Sequence, residues 1–286
     1  MSPSPTTALC AGKTIVITGA AQGLGQAAAV AFAAAGAKRI AIVDSSCTSD
    51  TIERASQAAA EAGRTELELF PFHLNLGEAA SIDTEFTKIH SRLGYVDILI
   101  NTTEHISLFN LQRGTMEASN VDVWWKNCEA SVKDAFVVAR ALLPLLLKGT
   151  EKTIVNVISA RSPLLQFTSG THDLSELAMM RLSEDLMLDY RNEGLLVYSL
   201  QPGHEGAKDM QQSVNLKLAS EGLVYLTSER REQLGGRHLK CGEDMCDVIS
   251  RDKWDTQNDL LEIGTSVKGI PPIPEKRRGR VPRSNY

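Results

Sequence analysis

Thr14-Ile15-Val16-Ile17-Thr18-Gly19-Ala20-Ala21-Gln22-Gly23-Leu24-Gly25 is the stretch that decides the fold of this chain. Its first five residues are a β-branched run that reads as a short buried strand, and the Ala-rich segment from Gln22 to Ala35 reads as a helix, with Gly19 turning the chain between them. The alternation recurs downstream. Strands are expected near Arg39 to Val43, Leu67 to Phe72, Val96 to Ile100, Thr153 to Ile158 and Leu196 to Leu200, separated by segments of helical periodicity. Two long helices are expected, one over Val121 to Leu147 with a break or kink near Pro144 and one over Leu174 to Arg191. Strands alternating with helices predict an α/β fold: a doubly wound parallel sheet covered on both faces, a three-layer αβα arrangement.

The chain has 286 residues, of which 43% are hydrophobic, enough for one large core. The expected organisation is a flexible N-terminus over 1–11, a single domain over 12–268, and a mobile tail over 269–286, where Pro and Arg/Lys replace core-forming residues. A net charge of -5 provides no basic field for nucleic acid or anionic membrane, so the expected partner is a small molecule. No leader pattern and no membrane-length apolar run stand out. The five Cys are scattered without paired ligand spacing, which fits reduced thiols in the cytoplasm and no metal site.

The glycine turn has a chemical reading. At Gly19, Gly23 and Gly25 the missing side chains let phosphate approach backbone N–H groups at a helix start, the arrangement of a Rossmann-type dinucleotide site. Asp44 closes the second strand 19 residues past Gly25, where a carboxylate accepts hydrogen bonds from an adenosine ribose and repels a 2′-phosphate. NAD is therefore expected in preference to NADP.

The glycine spacing resembles the short-chain dehydrogenase/reductase family, and further matches carry the likeness from about Gly12 to about Lys240. Val96-Asp97-Ile98-Leu99-Ile100-Asn101 is similar to the family's fourth-strand motif, Pro202-Gly203 to its turn after the sixth strand, and Asn75 falls where the family contacts adenine. The resemblance makes Thr18, Gly19, Gln22, Gly23, Leu24, Gly25, Asp44, Asn75 and Asn101 the candidate cofactor-binding set, and it implies a homo-oligomer. Trp124-Trp125, the run from Phe136 to Pro144, and Ser228-Glu229-Arg230-Arg231 before Gly235-Gly236-Arg237 resemble a branch common in filamentous fungi, many of whose members modify secondary metabolites.

Departures from the family pattern decide the expected chemistry. The family's Tyr exchanges a proton while nicotinamide exchanges hydride, helped by a Lys four residues later, a Ser and an Asn. Aligned on those motifs, Ser159 keeps the Ser, but His172 stands at the Tyr position and Glu176 at the Lys position. Ser131 takes the Asn position, Thr102, Thr103 and Glu104 replace Asn-Ala-Gly, and Ala207 replaces the Thr after Pro-Gly. His172 and Glu176 are four apart at a helix start, so they share one face, and an acid beside an imidazole favours its protonated form. Ser159, His172 and Glu176 are thus the candidate catalytic residues, for general acid/base work in an isomerisation, dehydration or cyclisation, with the nucleotide structural or absent. Two other readings stand beside it: NAD(H)-dependent carbonyl/alcohol redox with His172 in place of Tyr, and a catalytically silent binding or partner protein.

Overall fold

The computed structural model describes residues 8–76, 78–102, 120–158, 171–202 and 215–241. Among these residues seven strands, β1 (Thr14–Thr18), β2 (Arg39–Asp44), β3 (Glu68–His73), β4 (Ile98–Asn101), β5 (Thr153–Val157), β6 (Leu196–Gln201) and β7 (His238–Lys240), form one sheet. Their order is β3-β2-β1-β4-β5-β6-β7 and every pairing is parallel. The helices are α1 (Gly23–Ala34), α2 (Ser49–Glu61), α3 (Ala79–Leu93), α4 (Val121–Leu146), α5 (Thr171–Asp189) and α6 (Leu216–Thr227). The doubly wound, three-layer expectation holds.

Period-two alternation of the strands divides the core. Ile15, Ile17, Ile40, Ile42, Ile98, Ile100 and Val155 pack against α1, α2 and α6. Val16, Ala41, Val43, Leu99, Ile154 and Val197 face α3, α4 and α5. Strands buried on both faces have no polar side, which is why they read in sequence as continuous apolar runs.

Four features differ from expectation, the first being β7, which was not among the expected strands. Cys10 is fully buried within the core, and its N–H donates to Ala35 O at 3.0 Å, so residues expected in a flexible lead-in join the fold. α4 runs unbroken through Pro144 in its last turn, although the ring lacks the N–H that would bond the Arg140 carbonyl. α5 begins at Thr171, three residues earlier than expected. Pro71 sits inside β3, tolerated because β3 is an edge strand. The tail after 268 lies outside the described residues.

Candidate functional site

Strand order reverses at β1, between β2 and β4, and the glycine turn leaves β1 there at its carboxyl end. That turn is held from behind. Thr102 Oγ1 donates to Thr18 O at 2.5 Å, Thr51 Oγ1 to Ala20 O at 2.8 Å, and Gln26 Nε2 to Ala21 O at 3.2 Å. With these carbonyls held by protein donors, the turn needs no ligand to keep its shape. α1 has no side-chain cap at Gln22 and no acid in its first turn, so the positive end of the helix is left for an anion.

The glycines divide by role. A Cβ at Gly19 would stand 2.8 Å from Thr102 O, and one at Gly25 2.2 Å from Gly19 O, so both are needed for close packing of the turn. Gly23 has φ +57 and open space where a Cβ would be, as a backbone facing a ligand requires. Asp44 faces the same turn. Its Oδ2 accepts from Ala21 N–H at 2.9 Å and its Oδ1 from Ser46 N–H at 2.8 Å. A carboxylate offers about four lone-pair positions, so each oxygen retains capacity for a sugar hydroxyl. These residues fit a dinucleotide: a fixed backbone cradle, an uncapped helix start and an oriented carboxylate.

Asn75 follows β3, two residues past its end, and its Nδ2 donates to Glu78 Oε1 at 2.9 Å. Asn101 is buried, accepting from Thr18 Oγ1 at 3.3 Å and donating to Asn156 Oδ1 at 2.8 Å, so its side chain serves the sheet. Thr51 and Gln26 were missed by sequence reasoning. Thr51 lies 31 positions from the Ala20 carbonyl it holds and Gln26 only five from Ala21, and no local pattern marks either.

Of the candidate catalytic residues, Glu176 is half-buried on α5, one turn after His172 in the first turn of the same helix. The His172 side chain and all of Ser159 lie outside the described residues, as do Thr103, Glu104 and Ala207 and the Ser131 side chain. The tyrosines bear on the family comparison. None of the five has a Lys four residues later. Tyr198 is buried on the α1/α6 side of the sheet, opposite α5, with its hydroxyl donating to Arg231 O at 3.1 Å. Burial pushes that phenol up to about 12. Tyr95 lies under the Arg39 guanidinium, Tyr225 under that of Arg231, and Tyr190 packs just past the end of α5.

A parallel sheet with a glycine turn at its crossover and a strand-end acid beside it defines a nucleotide-fold α/β protein. The model of the short chain dehydrogenase family matches residues 13–219, and the chain belongs to that family. It is 30% identical over 275 residues to the short chain dehydrogenase mpl6 of Monascus purpureus, covering 91% of this chain and 92% of that protein. It is 27% identical over 268 residues to the short chain dehydrogenase andI of Emericella variicolor, covering 90% of each. Among solved structures, a short-chain type dehydrogenase/reductase from Mycobacterium marinum shares the fold with a TM-score of 0.66 at 18% identity, over 82% of this chain and 96% of that one. An NADH-dependent reductase, A1-R′, complexed with NAD, does so with a TM-score of 0.68 at 16% identity, over 82% and 96%. The expected family and its fungal kinship are both met.

Proposed function

We propose that this protein binds NAD at the β1/β2/β4 crossover and acts on a small-molecule metabolite, of the secondary-metabolite kind, by proton transfer from α5. The cradle behind Gly19 to Gly25 carries the nucleotide half of the reading. Gly23 and the first turn of α1 would receive the pyrophosphate, and the Asp44 carboxylate the adenosine ribose. After Asp44 come Ser45, Ser46 and Cys47, so no cation stands there to hold a 2′-phosphate, which supports NAD over NADP.

The chemical half rests on the sequence of α5. His172 is the proposed proton-transfer group, Glu176 the acid that orients it, and Ser159 a donor to a substrate oxygen, suited to isomerisation, dehydration or cyclisation. NAD, when bound, would supply hydride chemistry if the site is redox-active. That second reading, carbonyl/alcohol redox with His172 in place of a phenol, is favoured by the intact cradle and by the bound NAD of the A1-R′ reductase. Titration of the protein with NADH, followed by nicotinamide fluorescence, tests the nucleotide half; saturable binding is expected, and none at millimolar NADH overturns it. His172→Ala should abolish turnover of a productive substrate with NADH affinity kept; unchanged turnover refutes the assignment.

The expected homo-oligomer has a candidate surface. Val121, Trp125 and Phe136 on α4 and Leu174, Leu177 and Leu188 on α5 are exposed apolar residues, Trp125 by 57% and Leu188 by 62%. Helical spacing sets each group along one stripe, and α4 and α5 lie side by side, a patch suited to a second copy of the chain.

A further inference from the structure

Four adjacent strands carry polar side chains at a single level of the sheet. Thr18 is in register with Asn101, Asn101 with Asn156, and Asn156 with Ser199. Two residues earlier the same strands present Val16, Leu99, Ile154 and Val197 to the α3/α4/α5 layer, so the polar row faces that layer too. All four residues are at most 2% exposed.

The row is hydrogen-bonded in one direction and ends on a helix. Thr18 Oγ1 donates to Asn101 Oδ1 at 3.3 Å, Asn101 Nδ2 to Asn156 Oδ1 at 2.8 Å, and Asn156 Nδ2 to Ser183 Oγ of α5 at 2.8 Å. Ser199 Oγ lies 3.0 Å from Ser183 Oγ, which itself donates to Met179 O at 2.9 Å. At the other end Thr102, just past β4, donates to Thr18 O, where β1 leads into the glycine turn. Bonds aligned in this way polarise one another in a low-dielectric core, and a serine bonded back to the carbonyl four residues earlier bends its helix.

Ser183 occupies a telling place on α5. Positions 172, 176, 179 and 183 follow an i, i+4, i+7, i+11 spacing, so the anchor and both proposed α5 site residues belong to one face of the helix. An apolar contact would hold α5 near the sheet while leaving its rotation soft; a directional bond at 2.8 Å fixes the rotation. We propose that Ser183 is a positioning residue: anchored through Asn156 to the strand ends, it sets the rotation of α5 and so directs the first two turns of that helix toward the far half of the dinucleotide crevice. The inference rests on the α5 site proposed above.

The test compares wild type with Ser183→Ala and Ser183→Thr. NADH should bind roughly tenfold more weakly to Ser183→Ala, about 1.4 kcal/mol, the order of one buried hydrogen bond. ADP-ribose, which reaches the glycine turn and Asp44 but lacks the nicotinamide, should bind within about twofold of wild type, and Ser183→Thr should recover most of the NADH affinity. Equal losses for both ligands, or no loss, overturn the proposal. Hydrogen exchange on the ligand-free proteins separates it from the nucleotide reading. Faster exchange confined to 171–179 in Ser183→Ala supports positioning even if wild type binds neither ligand, whereas unchanged or uniformly faster exchange refutes it. If Ser183→Ala does not fold, Ser183→Cys, similar in volume but poorer in hydrogen bonding, takes its place.

Discussion

Asp44 has two tasks, fixing the Ala21 amide and facing the crevice. Asp44→Ala should weaken NADH at least tenfold, since charge-assisted hydrogen bonds contribute about 1.5–3 kcal/mol each, and a fluorescence titration measures it. Gly25→Ala should be worse: its Cβ would lie 2.2 Å from Gly19 O, so the turn must open, and both NADH affinity and thermal midpoint should fall. Cys47, exposed three residues past Asp44, has its thiol lowered by hydrogen bonding to Ser49, whereas Cys10 is buried and pushed up to about 12. Among the described cysteines an alkylating reagent should modify Cys47 first, and peptide mapping of the labelled native protein would show it. The glycines and Asp44 were legible in sequence because their spacing is local. Thr51 and Thr102 were not legible as props of the turn, because a hydroxyl bonded across 31 or 84 positions leaves no periodic trace.

Strands were the easiest elements to read, since β1, β2 and β5 are short runs rich in β-branched residues, β6 is largely apolar, and none has an exposed face. β7 was missed: His238-Leu239-Lys240 has one apolar residue and joins the sheet by its backbone alongside β6. The polar row was hidden too, because Asn101 reads as a strand end and Asn156 as one polar residue inside an apolar strand, and only the register shows that they face each other. Elements also depend on their fastenings. The Lys13 ammonium, nearly buried at the start of β1, donates to Thr227 O at 2.8 Å and Ser228 O at 2.7 Å, capping α6, and pairs with Glu151 at 3.3 Å. Cations favour helix C-termini. Lys13→Met should leave those carbonyls and Glu151 without their donor and lower stability by about 1–3 kcal/mol in urea titration, with β1 otherwise unaffected.

The assembled molecule inherits a pH limit from its core. Cys10 and Tyr198 are both raised to about 12, in each case chiefly by burial, from ordinary values of 9.0 and 10.0. Groups raised on folding contribute stability that is complete below their unfolded values and is lost as pH climbs to the folded ones. Unfolding free energy should therefore decline between about pH 9 and pH 12, and Cys10→Ala should flatten the onset of that decline in denaturant titrations. Sedimentation should show a homo-oligomer, with Trp125→Glu and Leu188→Glu together shifting it toward the monomer. Pro71 bears on that assembly from the opposite end of the sheet. A prolyl nitrogen has no hydrogen to offer, so the outer border of β3 is a poor template for a neighbouring chain. An edge so blunted disfavours open-ended stacking of sheets from copy to copy, and restoring an amide there with Pro71→Val would remove a guard against fibrous growth.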